Sequence, residues 1–374
     1  MYIRVMYRTI LAQIQQELQS KSPQIVLILG MRQTGKTTLV KTAVTGRDHV
    51  FFNFDLAGDR AEFLDQDRHR LNLFAKRNKD KIIVIDEVQK LPESTNVIKH
   101  LYDQYNLKFV LTGSSELKVQ LGFGDSLAGR LRVFRLYPLS FEEISKQSSK
   151  KLDYDFGQEL LFKTLIFGSL PQIMNLKPER YVSYLSDFTD QLLAKDVLEY
   201  SQIRKPTQIY SLAKLLAQQI GQLVNFNELS LMLEMSRASV YNYLDILEKL
   251  SIIVRANPIS TNEREAISKK CKIYFTDLGI RNALLGNFDN FNLRTDRGHL
   301  LENAVFIGIK KRLDYGNKPY KIGFFRSPQG SEIDVVVKKA GKEQLYEVKA
   351  NQKPSRQKGK VAFITLENAQ EFLF

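Results

Sequence analysis

The sequence predicts an α/β protein whose first part is a parallel β-sheet covered by helices. Five apolar, strand-like runs occur in the first 140 residues, at 24–29, 50–56, 81–86, 108–112 and 133–136. Helical or polar stretches separate them, and this alternation is typical of a parallel sheet covered on both faces. A glycine-rich segment directly follows the first run, and two acidic residues end the third. Because ligands bind at the carboxyl ends of such strands, these segments mark the expected site.

The glycine-rich segment, residues 30–37, reads GMRQTGKT and fits the pattern G-x-x-x-x-G-K-[ST]. In this pattern the backbone N–H groups and the positive end of the following helix face phosphate oxygens. The lysine reaches the β- and γ-phosphates, and the threonine hydroxyl ligates Mg²⁺. The competing interpretation is a glycine turn that only joins strand to helix. We expect ATP and Mg²⁺ here, with the nucleotide bound by Gly30, Arg32, Gln33, Thr34, Gly35, Lys36, Thr37 and Thr38.

The third strand ends with two carboxylates, Asp86 and Glu87, after four apolar residues. Phosphate hydrolysis needs a first acid that holds Mg²⁺, usually through water, and a second that polarises the attacking water. An acidic strand end that caps the next helix would give the same local pattern. The position fifty residues after Lys36 favours the catalytic interpretation, with Thr37 and Asp86 as metal ligands.

Polar and basic residues after the fourth strand supply further candidates. The hydroxyl of Thr112 or of Ser114 could position the attacking water, and the sequence does not choose between them; turn formation is the competing explanation. Arg130 is a candidate arginine finger, which neutralises charge on the γ-phosphoryl group. Arg132 and Arg135 are its rivals, and a surface arginine is the alternative interpretation.

Composition limits the class of protein. The chain has 374 residues, 43% of them hydrophobic and 26% charged, which is typical of a soluble globular protein with two to four domains. We expect no membrane span, because no run of eighteen apolar residues occurs. The one cysteine, Cys271, excludes a disulfide framework and suits a cytoplasmic location. Net charge is +14, and residues 310–360 hold fourteen Lys or Arg against five Asp or Glu. This clustering favours DNA as a partner, although a well-solvated surface would also explain it.

The remaining sequence divides into three predicted segments after a core at 1–140. Residues 141–206 read as a helical lid, broken by GSLP at 168–171. Residues 207–259 read as a winged helix, with helices at 211–220, from near Asn227 and at 237–250, an N-cap at Ser236 and a wing strand at 252–255. Residues 260–374 read as a mixed α/β domain. The third helix offers Arg237, Ser239, Tyr241, Asn242 and Lys249 to DNA, but it also carries two acids, and we favour a structural linker.

A second group of acidic residues lies near the C-terminus. Two strands are predicted around a hairpin at 339–342, and strand periodicity places Glu332 with Asp334 on one face and Glu347 with Lys349 on another. Antiparallel pairing can bring Asp334 beside Glu347. Upstream, Glu302 lies in a helix that is apolar nearly all round, so we expect it to be enclosed and to need a partner.

The motif order GMRQTGKTT, IDEVQ, LTGSS, AGR and GSLP resembles a family of prokaryotic AAA-like ATPases near the STAND and archaeal-type ATPases. The resemblance covers nearly the whole chain. It implies an AAA-like P-loop NTPase sheet with a helical lid, a winged helix and a nuclease-like C-terminal domain. It also implies that the GSLP element lies near the nucleotide and links its state to the lid. In such relatives several subunits assemble, so a homo-oligomer with Arg130 acting across an interface is expected.

The C-terminal arrangement of Glu302, Asp334, Glu347 and Lys349 resembles the PD-(D/E)xK nuclease superfamily, which has a restriction-endonuclease-like fold. The resemblance implies that Asp334 and Glu347 ligate Mg²⁺ or Mn²⁺, that Glu302 is the helix acid and that Lys349 is the catalytic lysine. Glu332 departs from the pattern as an extra acid. Cross-strand ion pairing on a solvated face is one alternative. A nuclease fold that binds DNA without cutting it is another.

Together these observations predict a Mg²⁺-dependent ATPase that acts on DNA through a nuclease-like domain, with metal-dependent cleavage as a possible second activity. The alternative is a STAND-like switch in which ATP drives signalling or assembly and the C-terminal domain is an inactive binding module. A nuclease with a vestigial P-loop is a third class, and the complete set of Lys36, Asp86 and Glu87 argues against it.

Overall fold

A computed structural model describes residues 7–20, 24–64, 67–114, 127, 129–148, 153–196, 206–259, 271–316, 318–327, 329–350 and 360–373. Parts of the LTGSS and AGR motifs, and the segment 260–270 predicted to begin the last domain, lie outside these residues. The chain divides into two compact units, Met1–Tyr137 and Pro138–Phe374, and each is described by itself.

The first unit is an all-parallel sheet of five strands with helices between them. The strands are β1 (Ile25–Leu29), β2 (His49–Asn53), β3 (Ile82–Asp86), β4 (Lys108–Gly113) and β5 (Leu131–Arg135). The helices are α1 (Leu11–Gln19), α2 (Lys36–Ala43), α3 (Ala57–Leu64), α4 (Arg68–Arg77) and α5 (Ser94–Tyr105), with a 3₁₀ turn at Val88–Lys90. The α/β fold class and the parallel sheet predicted from the sequence are confirmed.

The order of the strands, β2-β3-β4-β1-β5, positions the site. β4 lies between β1, which leads into the glycine-rich loop, and β3, which ends at Asp86. The three inner strands are buried, as their continuous apolar runs predict, whereas β2 and β5 at the edges are partly exposed. The predicted second strand extends too far: it ends at Asn53, whose side chain accepts the N–H of Asp55 at 3.0 Å and starts a turn.

The second unit begins with helices. These are α6 (Phe141–Gln147), α7 (Tyr154–Phe167), α8 (Pro171–Asn175), α9 (Tyr181–Gln191), α10 (Pro206–Gln218), α11 (Phe226–Met232) and α12 (Arg237–Lys249), with a 3₁₀ turn at Pro178–Arg180 and a π-helical turn at Leu192–Asp196. The GSLP element separates α7 from α8: Gly168 has φ +70° and Pro171 is the first residue of α8. The predicted N-cap is confirmed, since Ser236 accepts the N–H of Ser239 at 3.1 Å. The predicted start of α10, at residue 211, is five residues late.

The C-terminal part contains two sheets. β6 (Ile253–Ala256) pairs antiparallel with β7 (Lys272–Phe275), so the predicted wing strand is joined to a strand from beyond residue 260. After α13 (Leu278–Leu285), a 3₁₀ turn (Phe291–Leu293) and α14 (Arg297–Tyr315) comes a mixed sheet in the order β11-β10-β9-β8. Its strands are β8 (Tyr320–Arg326), β9 (Glu332–Lys339), β10 (Lys342–Val348) and β11 (Val361–Ile364), followed by a 3₁₀ turn at Ala369–Glu371. The predicted hairpin is present, with Lys339 opposite Lys342.

Among the described residues, no helix is both long enough and apolar enough to cross a lipid bilayer.

Candidate functional site

The glycine-rich loop joins the carboxyl end of β1 to the first turn of α2. Its backbone is left-handed at Gln33 (φ +60°) and at Gly35 (φ +92°). A Cβ atom added to Gly30 would lie 2.3 Å from the carbonyl oxygen of Leu136, so no other residue fits there without a shift of the backbone. The Thr34 hydroxyl donates to the Met31 carbonyl at 2.8 Å. The turn is therefore wound tightly directly before a helix N-terminus, as a phosphate-binding loop requires.

Lys36 is the first residue of α2, and its ammonium group lies over the loop. Nζ donates to the carbonyl oxygens of Gly30 at 2.9 Å and Met31 at 3.2 Å, and the side chain is buried. Arg32, Thr37 and Thr38 are half-buried, whereas Gln33 is exposed at the loop tip. The residues predicted to bind nucleotide thus all lie on this loop or on the first turn of α2.

Asp86, at the end of β3, is held by two hydroxyl groups. Thr37 Oγ1 donates to Asp86 Oδ2 at 2.8 Å, and Thr112 Oγ1 donates to Asp86 Oδ1. Thr112 reaches Asp86 because β4 lies beside β3. Both donors are neutral, so the carboxylate keeps its negative charge for a cation. The hydroxyl of Thr37 and the carboxylate of Asp86 are oxygen donors of the kind Mg²⁺ prefers, and these residues fit Mg²⁺ bound with a nucleotide.

Glu87 follows Asp86 in a left-handed backbone conformation (φ +56°), which is costly for a residue with a side chain and is common at functional sites. Its N–H donates to Thr112 Oγ1 at 3.0 Å. Its carboxylate accepts a hydrogen bond from Gln89 Nε2, which also donates to Ser114 Oγ at 2.8 Å. Thr112 therefore orients Asp86 and the turn, whereas Ser114 lies with Gln89 beside Glu87.

Sequence reasoning missed Gln89 as a member of this site. It is buried in the 3₁₀ turn after β3, and its Oε1 atom has no hydrogen-bond partner among the residues that the structure describes. Its position two residues after Glu87, within the IDEVQ motif, was the available signal.

The proposed arginine finger, Arg130, makes a two-point ion pair within its own unit. Arg130 Nε lies 2.7 Å from Asp103 Oδ1, and Nη2 lies 2.9 Å from Oδ2. The hydrogen bond from Arg130 lowers the pKa of Asp103. Of its rivals, Arg132 lies over the Phe134 ring, 5.8 Å from the ring centre. Arg135 lies at the end of β5 with its side chain exposed.

In the second unit, three carboxylates converge on one buried ammonium group that the sequence did not single out. Lys272 Nζ lies 2.9 Å from Glu302 Oε1, 2.6 Å from Glu332 Oε1 and 4.0 Å from Asp334 Oδ1. The lysine side chain is only 3% exposed. Burial lowers the pKa of Lys272, but the charges and hydrogen bonds of Glu302 and Glu332 outweigh it, so the pKa is raised. The lysine is therefore charged at neutral pH.

Glu302 is enclosed, as predicted, and its partners are Lys272 and the Tyr274 hydroxyl, which donates to Oε1 at 2.6 Å. Burial raises the pKa of Glu302 to about 7, although Lys272 and the Tyr274 hydrogen bond act against the shift. Burial also raises the pKa of Asp334. The nearby His299 has a lowered pKa because it is buried and faces Lys272.

The other two predicted nuclease residues pair with each other. β9 and β10 are antiparallel, as predicted, and the Val348 N–H donates to Asp334 Oδ2 at 2.8 Å. Lys349 Nζ lies 3.0 Å from Glu347 Oε1. The structure thus brings Glu302 and Asp334 to Lys272, and Glu347 to Lys349. Within the described ranges, no group of three or more His, Cys, Asp or Glu side chains is arranged to hold a metal ion.

The helix α12 presents Arg237, Tyr241 and Asn242 to solvent, whereas Ser239 and Lys249 are half-buried. Its two acids hold an arginine of β6: Arg255 Nη2 lies 2.6 Å from Asp245 Oδ1 and 2.5 Å from Glu248 Oε2. These acids therefore form a partly exposed ion pair with Arg255, and the three groups together keep one net negative charge.

Comparisons with known proteins agree with this description of the first unit. A model of an AAA domain matches residues 22–145, and two domains of unknown function, DUF8612 and DUF4143, match residues 158–290 and 297–371. An uncharacterized protein of Mycobacterium tuberculosis is 24% identical over 337 residues, which cover 88% of this chain and 71% of that protein. One from Haemophilus influenzae is 23% identical over 350 residues, covering 87% and 83%.

Among solved structures, the Walker-type ATPase of Pyrococcus abyssi is similar, with a TM-score of 0.50 and 15% sequence identity. The match covers 73% of this chain and 95% of that one. At this identity the likeness shows the fold alone. The glycine-rich loop, the parallel sheet and this likeness together show that the first unit has the fold of a P-loop NTPase, in the region that the AAA model matches.

Proposed function

We propose that the protein is a Mg²⁺-dependent ATPase that acts on DNA. The observation that carries the ATPase proposal is that two hydroxyl groups donate hydrogen bonds to the carboxylate of Asp86. Thr37 and Thr112 hold both carboxylate oxygens without cancelling their charge, directly beside Lys36 and the loop. A turn that only joined a strand to a helix would not need this arrangement.

The residues divide the reaction between them. Lys36 and the loop N–H groups bind the β- and γ-phosphates, and Thr37 and Asp86 are the residues that would hold the metal ion. When bound, Mg²⁺ neutralises charge on the phosphate oxygens. Glu87 takes a proton from water as the water oxygen attacks the γ-phosphorus. The bond from the γ-phosphorus to the bridging oxygen breaks, and ADP leaves with that electron pair.

The direct test is Glu87→Gln, which keeps the shape of the side chain and removes the base. We expect nucleotide affinity to be retained and ATP turnover to fall about 10²- to 10⁴-fold, the range for loss of a general base. Glu93→Gln, an exposed acid of the same connecting segment, is the matched control. Turnover that survives Glu87→Gln would remove Glu87 from the mechanism.

The DNA proposal rests on the charge of the second unit. The fourteen Lys and Arg against five acids between residues 310 and 360 favour a polyanion. Exposed basic side chains of this region, such as Lys318, Arg326, Lys342 and Lys360, lie on or beside the C-terminal sheet. We also propose that α10–α12 with β6 and β7 form a winged helix. Duplex DNA should bind with an affinity that falls steeply with salt, and it should raise ATP turnover.

A homo-oligomer is part of the proposal, with Arg130 reaching a neighbouring subunit after its pair with Asp103 opens. If so, Arg130→Ala should lower ATP turnover only in the assembled protein. Asp103→Ala should leave ATP turnover unchanged. Equal, small effects of both variants would assign Arg130 to the ion pair alone.

The second candidate is an ATP-driven assembly switch. Leu231, Met232 and Tyr241 are exposed on α11 and α12, and Tyr241 packs on Phe226 with ring centres 4.5 Å apart. Exposed apolar side chains on adjacent helices favour a protein partner over DNA there. ATP-dependent assembly without any stimulation of turnover by DNA would support this candidate over the first.

A further inference from the structure

The carboxylate cluster of the second unit, formed by Glu302, Glu332 and Asp334, holds a cation that belongs to the chain itself. We infer that the ammonium group of Lys272 takes the place of a divalent metal ion in this cluster, so that the C-terminal unit binds its partner without cutting it. The inference deepens the proposed association with DNA, on which its functional part rests.

The geometry around Lys272 Nζ is that of a filled site. Oxygens from α14 and β9 lie at 2.9 Å and 2.6 Å, which are hydrogen-bond distances, and Asp334 Oδ1 lies at 4.0 Å. Mg²⁺ requires oxygen ligands at about 2.1 Å in an octahedral arrangement. A metal ion bridging Glu302 and Asp334 would therefore compete for the space that Nζ occupies.

Lys272 cannot leave this position easily. Its backbone pairs with Ala256 in the β6–β7 ladder and bridges to Leu223. Its ammonium group also lies 5.4 Å from the centre of the Phe324 ring, which covers it. Withdrawing the side chain would leave Glu302 and Glu332 buried or half-buried without their main cation, which is costly.

The charges of the cluster are already close to balance. The three carboxylates of the cluster and the carboxylate of Glu347 are matched by three cations. Lys272 holds Glu302 and Glu332, Lys349 pairs with Glu347, and Arg326 Nη1 lies 3.7 Å from Glu332 Oε2. Little negative charge remains to attract a divalent ion.

The test is Mn²⁺ binding to the full chain without nucleotide, followed by electron paramagnetic resonance. We expect wild type and Asp334→Asn to bind Mn²⁺ equally weakly, because the cluster contributes nothing. Lys272→Met keeps the volume and removes the charge; it should gain one Mn²⁺ per chain, with affinity at least tenfold higher. Lys272→Met with Asp334→Asn should lose that ion again.

Lys338→Met is the matched control, since it removes a lysine from an exposed ion pair with Glu343 in the same sheet. It should gain no ion. If the wild-type protein binds Mn²⁺ and Asp334→Asn abolishes that binding, the inference is overturned. This comparison can be made even if Lys272→Met fails to fold. A folded Lys272→Met that gains no ion would overturn it too. Neither measurement uses ATP or DNA, so each is independent of the proposed function.

Discussion

The two units place similar residues in different electrostatic settings. In the first unit Asp86 is held by the hydroxyls of Thr37 and Thr112, and Lys36 donates to the carbonyl oxygens of Gly30 and Met31 in the loop. In the second unit the acids Glu302 and Glu332 are held by the ammonium of Lys272. Neutral donors orient a carboxylate and leave its charge available, whereas a lysine orients it and neutralises it.

This difference teaches that acids and lysines in the right order do not by themselves define a metal site. The partner of each carboxylate decides whether it can bind a cation. On this basis we propose that the first site is open to Mg²⁺ and that the second is closed to it. The following predictions test the contrast, from the largest expected effect to the smallest.

Lys36→Ala should lower ATP turnover by about 10²- to 10³-fold, because an ammonium aimed at the phosphates stabilises the charge that develops in the transition state. Nucleotide affinity, measured by isothermal titration calorimetry, should be lost as well. Lys41→Ala, an exposed lysine of the same helix, is the control. Unchanged nucleotide affinity in Lys36→Ala would refute the assignment of the loop.

Lys272→Met should lower the free energy of unfolding by about 3–5 kcal/mol, the usual cost of removing one partner from a buried ion pair. Lys338→Met should cost about 0–1 kcal/mol, because its pair with Glu343 is exposed. Urea unfolding of both variants gives the comparison. Equal, small losses would show that Lys272 is not the main counter-ion of the cluster.

Glu302→Gln should change how stability depends on pH. The pKa of Glu302 is about 7 in the folded chain, raised from an ordinary 4.5 by burial. Between these values the folded state binds more protons than the unfolded state, so the free energy of unfolding falls as pH rises from about 4.5 to about 7 and then levels off. The contribution is at most about 3 kcal/mol.

The measurement is urea unfolding of wild type and Glu302→Gln at several pH values. The part of the fall in the free energy of unfolding that is due to Glu302 should be absent from the variant. His299 faces the same cluster with a lowered pKa and acts in the opposite direction, and it is present in both proteins. If the free energies of unfolding of wild type and Glu302→Gln differ by the same amount from pH 4.5 to pH 7, the raised pKa of Glu302 is contradicted.

Gln89→Ala should have the smallest effect, lowering ATP turnover about ten- to 100-fold with little change in nucleotide affinity. The Gln89 amide hydrogen-bonds to the carboxylate of Glu87, and such bonds to a charged group contribute about 1.5–3 kcal/mol. Gln104→Ala, on the exposed face of α5, is the control. A loss as large as that of Glu87→Gln would mean that Gln89 has a more direct role than positioning.

The sequence predicted the first unit well because its signals are local. Residues 30–37 and Asp86 each follow an apolar run, and parallel strands bring their carboxyl ends together. The sequence named Thr112 as a candidate and contained Gln89 in the IDEVQ motif. Their hydrogen bonds to Asp86 and Glu87 could not be predicted, because they depend on β4 lying between β1 and β3 and on the backbone turn at Glu87.

The second unit was harder because its decisive contact is not local. Lys272 lies thirty residues before Glu302 and sixty before Glu332, in a strand that pairs with β6. The pairing of β9 with β10 and the enclosure of Glu302 could be predicted from periodicity. Nothing in the spacing of the acids indicates that a lysine from another sheet fills the space between them.

One measurement tests the contrast between the two sites most directly: the number of Mn²⁺ ions bound per chain with a non-hydrolysable ATP analogue. We predict one tightly bound ion, which is lost in Asp86→Asn and unaffected in Asp334→Asn. An ion that survives Asp86→Asn, or a second ion that Asp334→Asn removes, would contradict the account.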